Sequence, residues 1–420
     1  MSPSDNNKLI ITAVGAAVAG AALAVTCLKL SEKHRNVPEP KYIPNRSSYV
    51  FDDPLDDVGG IVLPHNHEEK MRRRIAARVA VEEDNITPRR LVTVRVPATS
   101  ANVGPGYDCI GMAVDLWSEV TVERAEKFEI IARGEGAKQM PKDETNYLVV
   151  GVKAAFEAAN KPVPILKYTV DSKIPYARGL GSSSAAIVSG IIAGLVLAGH
   201  RLPCWGSEAL LQIAAGIEGH PDNVAPAIYG GIQIGIHDGG RWVTERTPIP
   251  AGVQLVMFIP DFEGKTSAAR NVLKPTISRE DAAFNIGRVA ILVHSLCTNN
   301  IDNLKWGVQD KMHQPQRGES LYKYLYPMVE AAERAGAACA YLSGAGPTVM
   351  ALTSGASGDI FTQRVDERTD SAVARAMIST AEQFGIHGKL LVTTPVNEGA
   401  RVVNVDPPFS SGDITYRDNI

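Results

Sequence analysis

Residues 175–185 read PYARGLGSSSA, set between an alternating segment at 166–170 (LKYTV) and a nearly unbroken apolar run at 182–198. Alternation with period two marks a half-buried strand, and a run that is apolar all round marks a helix with no solvent face. Strand, glycine-rich turn and buried helix together make a cradle for phosphate. The glycines let backbone approach an anion, the N–H groups of the first helical turn converge on it, and the helix dipole favours negative charge. Pro175, Arg178, Gly179, Leu180, Gly181, Ser182, Ser183, Ser184 and Ala185 are therefore the expected polyphosphate contacts. The serine hydroxyls can cap the helix and also ligate a divalent cation; a cap alone is the simpler alternative for Ser182. The loop lacks the lysine of a GxxxxGK[ST] motif and the spacing of GxGxxG, so neither a Walker-type loop nor a dinucleotide fold is expected.

Outward from this loop, strand and helix patterns mix without strict alternation, which predicts an α+β class. Strands are expected at 91–96, 117–122, 255–259, 339–342, 348–352 and 390–393, and helices at 147–159, 207–217, 282–298, 321–335 and 372–384. The chain has 420 residues, 45% hydrophobic and 21% charged, with a net charge of −3. No basic field points to nucleic acid, so the expected partner is a small molecule. The five cysteines, at 27, 109, 204, 297 and 339, show no CxxC spacing, which argues against a disulfide framework or a zinc site.

Residues 9–28 carry no charge, about the length a helix needs to cross a bilayer. A retained single-pass anchor and the apolar part of a cleaved targeting leader both fit, and a buried core helix is the third reading. Lys29, Lys33 and Arg35 follow the run and only Lys8 precedes it, so an anchor would leave the main body in the cytosol. Residues 31–90 read as an extension rather than a domain: Pro-rich at 37–44, acidic at 52–57, with one basic amphipathic stretch at 68–81.

Two further segments carry chemistry: PATSANVGPGYDCIG at 97–111, after the first strand, and SGAGPT at 343–348, between two late strands. With the loop at 175–185 they resemble, in kind and order, the motifs of the GHMP kinases over about residues 91–405. The resemblance implies two domains. The first, 91–245, would be ribosomal protein S5 domain 2-like and the second, 246–405, ferredoxin-like; 1–30 would be the leader or anchor, 31–90 the extension and 406–420 a tail. It also implies ATP in the cleft between them, held by the loop and by Gly344 and Gly346, with Asn146 at the adenine. Mg2+ would lie on Ser183 and Glu218, Glu208 being the other carboxylate nearby.

Within that family, SANVGPGYD (100–108), EGHPDNVAP (218–226), TSAAR (266–270) and DKMHQPQR (310–317) are similar to the homoserine kinase branch, with Tyr107 where Phe is usual. L-Homoserine carries an ammonium and a carboxylate. The resemblance implies Asp108 for the ammonium and Arg270 and Arg317 for the carboxylate, with Arg270 also near the transferred phosphate. Asn102, His220, Asn223 and Thr266 would orient the acceptor. Positioning would carry the phosphotransfer to the alcohol, and Asp222 stays open as a base. A homodimer and, through eukaryotic relatives, a plastid route are further implications. The alternatives are a mevalonate- or sugar-type kinase of the same family, and a non-catalytic, membrane-tethered nucleotide-binding protein.

Overall fold

The computed structural model describes residues 89–199, 208–354 and 368–408. The expectations placed on the apolar run 9–28 and on the extension lie outside these residues, as does the tail beyond 408. Along the chain come β1 (Leu91–Ala101), β2 (Ile110–Arg124), β3 (Glu129–Gly134), α1 (Tyr147–Ala158), β4 (Leu166–Ser172), α2 (Ser182–Leu197), α3 (Glu208–Glu218), α4 (Pro221–Tyr229), β5 (Ile232–His237) and β6 (Trp242–Thr247). Then follow β7 (Val253–Pro260), α5 (Thr266–Asn271), α6 (Arg279–Cys297), α7 (Leu304–Gly307), α8 (Gln314–Ser320), α9 (Leu325–Arg334), β8 (Cys339–Leu342), β9 (Val349–Ser354), α10 (Thr369–Gln383), β10 (Gly388–Thr393) and β11 (Arg401–Asp406).

The first sheet has the order β11-β1-β2-β4-β3, with β5 pairing β2 and β6 pairing β5. Only β3 and β4 run parallel, and α1 makes the crossover between them. Strand β2 serves two neighbours on one side: Ser118–Arg124 pairs β4, while Ile110–Met112 pairs β5. Its pairing with β1 slips between Pro97 and Ala98, where proline's missing donor does least damage. Helix α2 lies across this sheet, buried along nearly its whole length, and crosses α1 at glycine contact. A Cβ on Gly190 would stand 2.3 Å from the Leu148 carbonyl oxygen.

The second sheet is wholly antiparallel, in the order β10-β7-β9-β8. Numbered along the chain this is 4-1-3-2, with α9 before its second strand and α10 before its fourth, which is the ferredoxin-like βαββαβ arrangement. Strand β7 shows how both faces are buried. Val256 and Phe258 pack with Met328 and Met377 beneath α9 and α10, whereas Leu255, Met257 and Ile259 join the core that is continuous with the first sheet. The last strand departs from the expected boundary. Residues 401–405, assigned by sequence to the second domain, form β11, which leaves that domain and pairs with β1.

Candidate active site

The glycine turn leads into a buried helix where the sequence put one. Gly181, at φ +70°, leads into α2 from the left-handed region, and a Cβ there would stand 1.9 Å from Thr99 Oγ1. Only glycine fits. Ser182 Oγ accepts from the Ala177 N–H at 3.2 Å, closing the loop on itself. Hydrogen bonds then join the three motifs. Thr99 N donates to Leu180 O (3.2 Å), Gly344 N donates to Ala101 O (2.9 Å), and Ser343 Oγ donates to Gly179 O (2.7 Å). Between them opens a cleft of about 450 Å³, lined by the loop, by Gly344 and Gly346, and by Asn102, His220, Asn223, Thr266, Arg270 and Arg317.

At the first turn of α2, Ser183 Oγ and Ser184 Oγ both donate to Glu218 Oε1, at 3.1 and 3.0 Å. Glu218 is the last residue of α3, so two helix ends meet here. Burial pushes its carboxyl above the ordinary carboxylate value, against the opposing pull of His220 and the two hydroxyls. No lysine or arginine pairs with Glu218 among the described residues. A buried carboxylate with no lysine or arginine on it, beside two hydroxyls, is a donor set suited to Mg2+. The side chain of Glu208 lies outside the described residues.

Arg270 lines the cleft, and its partner Asp108 stands behind it, outside the lining. Arg270 grips Asp108 in a fork, its two terminal nitrogens donating to Oδ2 and Oδ1 at 3.0 and 2.8 Å, and it also donates to the Tyr107 hydroxyl at 2.8 Å. Asn102 and Asp108 both adopt positive φ, at +53° and +52°, and the Asp108 N–H donates to Asn102 Oδ1 at 2.9 Å. Asparagine and aspartate tolerate that conformation best among residues with a Cβ. Arg317, only 2% exposed, donates through Nε to Ala269 O and through one terminal nitrogen to Gly344 O, at 3.1 and 3.0 Å. Its other terminal nitrogen has no protein partner among the described residues. The Tyr107 ring centroid stands 5.6 Å from each guanidinium carbon.

Asn146 lines the cleft and also caps α1, accepting from Leu148 N at 2.9 Å and donating one amide N–H to Pro141 O at 2.8 Å. Two other expected contacts are engaged elsewhere. The Arg178 guanidinium donates to the carbonyls of Tyr176, Pro260 and Asp261 and ties the loop to the end of β7. Asp222 is 1% exposed and hydrogen-bonds His220 Nδ1, standing behind the histidine instead of lining the cleft. Sequence reasoning missed Lys265, Ser118 and Tyr176, which also line it. Lys265 directly precedes TSAAR and Tyr176 stands inside the loop at 175–185, signals that could have been read; Ser118 carries none.

Residues 146–231 match the family described as GHMP kinases N terminal domain, and residues 292–383 the one described as GHMP kinases C terminal. The homoserine kinase of Carboxydothermus hydrogenoformans is 38% identical over 311 residues, 74% of this chain and 96% of its own length. That of Desulfitobacterium hafniense is 38% identical over 313 residues, 74% of this chain and 100% of its own. The crystal structure of homoserine kinase from Cytophaga hutchinsonii superposes with a TM-score of 0.64 at 26% identity, covering 77% of this chain and 100% of that one. These findings correct the expectation of a membrane-anchored or plastid-targeted enzyme. The relatives matched over nearly their full length are bacterial, and no helix among the described residues is long and apolar enough to cross a membrane.

Proposed function

The chain belongs to the GHMP kinases, on their homoserine kinase branch, and from that premise we propose that it transfers the γ-phosphate of ATP to the side-chain hydroxyl of L-homoserine. The products are O-phospho-L-homoserine and ADP, a step toward threonine. One observation carries the choice of acceptor: Arg270, forked onto Asp108, lines the cleft together with Arg317, one of whose terminal nitrogens has no protein partner among the described residues. A zwitterionic amino acid can replace that fork without stranding a charge, its ammonium meeting Asp108 and its carboxylate meeting Arg270 and Arg317. An alcohol without the ammonium, such as mevalonate or a sugar, would break the pair and return nothing to Asp108.

Phosphoryl transfer through a loose transition state asks for positioning and for charge stabilisation on the phosphoryl oxygens. The backbone amides of residues 181–185 and the dipole of α2 supply the second. Asn223 Oδ1 accepts from Thr99 Oγ1 at 2.8 Å, which leaves its amide N–H groups to orient the acceptor hydroxyl. Asp222 acts through His220, and no carboxylate serves as a dedicated base. Ser183 and Glu218 would hold Mg2+, which neutralises charge on the β and γ oxygens when bound. Glu218→Gln is expected to raise the Mg2+ concentration needed for half-maximal rate and to lower kcat by roughly 100-fold or more, read from rate against Mg2+ titrations.

A coupled ADP-release assay with homoserine, mevalonate and galactose in parallel tests the reading. Turnover with homoserine alone is expected, and turnover with either other alcohol would sink it. Pairing into a homodimer would use the outward side of α6, where Ile286 is 71% exposed beside exposed Ala283, Gly287 and Ala290. Sedimentation of the full chain against Ile286→Glu tests that part.

A further inference from the structure

His313 is completely buried and fixed at both ring nitrogens. Nε2 lies 2.8 Å from the carbonyl oxygen of Gly104, and Nδ1 lies 3.1 Å from a terminal nitrogen of Arg317. A carbonyl oxygen only accepts and a guanidinium only donates. The ring must therefore carry its proton on Nε2 and present a lone pair at Nδ1. The neutral imidazole does this in one tautomer; the doubly protonated ring would set a donor against a donor.

We propose that His313 is a positioning residue, a neutral imidazole protonated on Nε2 that aims Arg317 at the carboxylate of the acceptor amino acid and couples that arginine to the loop bearing Asp108. The proposal rests on the reading of Arg317 as a substrate-binding group. Three features support it. Among the described residues Arg317 is otherwise anchored only to the carbonyls of Ala269, next to Arg270, and Gly344, in the C-terminal glycine loop, so the His313–Arg317 contact is where three substrate-facing segments meet. The turn that presents His313 is itself fixed. The Asp310 carboxylate accepts from the N–H groups of Met312, His313 and Gln314, at 2.8, 2.9 and 2.7 Å, and from Asn285 Nδ2 at 2.7 Å. Finally, His313 and Arg317 stand four positions apart at the start of α8, a spacing that brings side chains together along a helix.

The charged and titratable groups around the ring are Asp310, with Oδ2 3.6 Å from Nε2, Arg317, Asp108, and Tyr107, whose ring centroid is 5.4 Å away. Burial holds the imidazole below its ordinary pKa and Arg317 acts in the same direction, outweighing the opposite pull of Asp310 and Asp108. The ring therefore stays neutral where the enzyme works, and acid titrates the contact away.

Steady-state kinetics on the full chain separate this role from a purely structural one. His313→Ala is expected to raise the KM for homoserine roughly 10–100-fold, with the KM for ATP changed less than about 2-fold. His313→Asn keeps an acceptor at the Nδ1 position and should recover most of the loss. His313→Gln keeps a donor toward Gly104 but lacks the acceptor, so it should behave like alanine and replaces it if that variant does not fold. In an Arg317→Ala background the histidine change should add nothing, and the acid-side rise in homoserine KM expected of the wild type should be missing from His313→Asn. A histidine effect that persists undiminished without Arg317, or that raises both KM values together, overturns the proposal. Arg317→Ala with an unchanged homoserine KM overturns the reading of Arg317 and the proposal with it. A large Arg317 effect with a silent His313 overturns the proposal alone.

Discussion

Arg270 and Asp108 are each about a third exposed, at 37% and 30%, and a pair so open to water adds little to stability. Its consequence is selectivity. A ligand with both charges exchanges one paired state for another, whereas a ligand with one charge leaves a partner alone. Asp108→Asn is expected to raise the homoserine KM roughly 10–100-fold. The wild type should discriminate against 4-hydroxybutyrate, which lacks the ammonium, by a similar factor in kcat/KM, measured with both acceptors side by side. His220 supplies a pH-dependent term. Burial opposes its charged form, but the hydrogen bond to Asp222 and the charges of Asp222, Glu218 and Asp108 outweigh this and hold its pKa above the ordinary imidazole value. The folded state then binds a proton more tightly than the unfolded chain. That contribution is complete below the ordinary pKa and is lost as pH rises through the raised one. The Tm gap between wild type and His220→Asn should therefore narrow with rising pH, as thermal melts across the neutral range would record. Asp108, Arg270 and Arg317 were legible as candidates through the resemblance of the motifs that carry them. The capping role of Asn146 and the place of His313 were not. An asparagine that caps a helix looks the same in sequence as one that faces a ligand, and the carbonyl that fixes His313 lies 209 positions away.

The phosphate cradle is only as rigid as the helix whose first turn forms it. Helix α2 is held by its crossing with α1, where Gly190 lets the two backbones approach to contact. An added methyl must push the helices apart or tilt α2, carrying Ser183 away from Glu218. Gly190→Ala is expected to cost about 1–3 kcal/mol, seen as a Tm lowered by several degrees, with a raised KM for ATP as the helix start shifts. A helix that tolerated the methyl with neither change would show that the crossing does not position the cradle. The loop and α2 could be read from sequence because their chemistry is local: glycines, serines and an apolar run in one stretch. Strands β5 and β6 could not. Each is short and partly exposed, so their alternation is weak, and they exist because β2 runs beyond its pairing with β4 and offers β5 a free side. The start of β2 at Ile110 was likewise hidden inside the motif at 97–111, whose glycines and prolines mask a strand pattern.

Two sheets that share one core should not unfold separately. Leu255, Met257 and Ile259 of β7, Cys339 and Tyr341 of β8, and Met350 and Leu352 of β9 all point away from the second domain's own helices and into the core of the first. Covalent closure reinforces this, since β11 returns after β10 to cover the edge of β1. Nothing in the sequence announces that return: residues 401–406 alternate only weakly, and their partner lies about three hundred positions upstream. Separation would expose the inner face of the second sheet and the outer edge of β1 together, so neither half has a stable state of its own. Calorimetry of the full chain is expected to give one endotherm with van't Hoff and calorimetric enthalpies in agreement. Removal of residues 400–420 should lower the Tm of that single transition without splitting it. Two resolved transitions in the full chain, or a fragment ending at residue 250 that melts cooperatively, would mean that the shared core contributes less than its burial implies. The cleft would then lie between separately stable halves, and its geometry would depend on how they swing. With one cooperative unit, the distance from the cradle of α2 to the Asp108–Arg270 fork is set by packing, and this is what in-line transfer between two bound ligands requires.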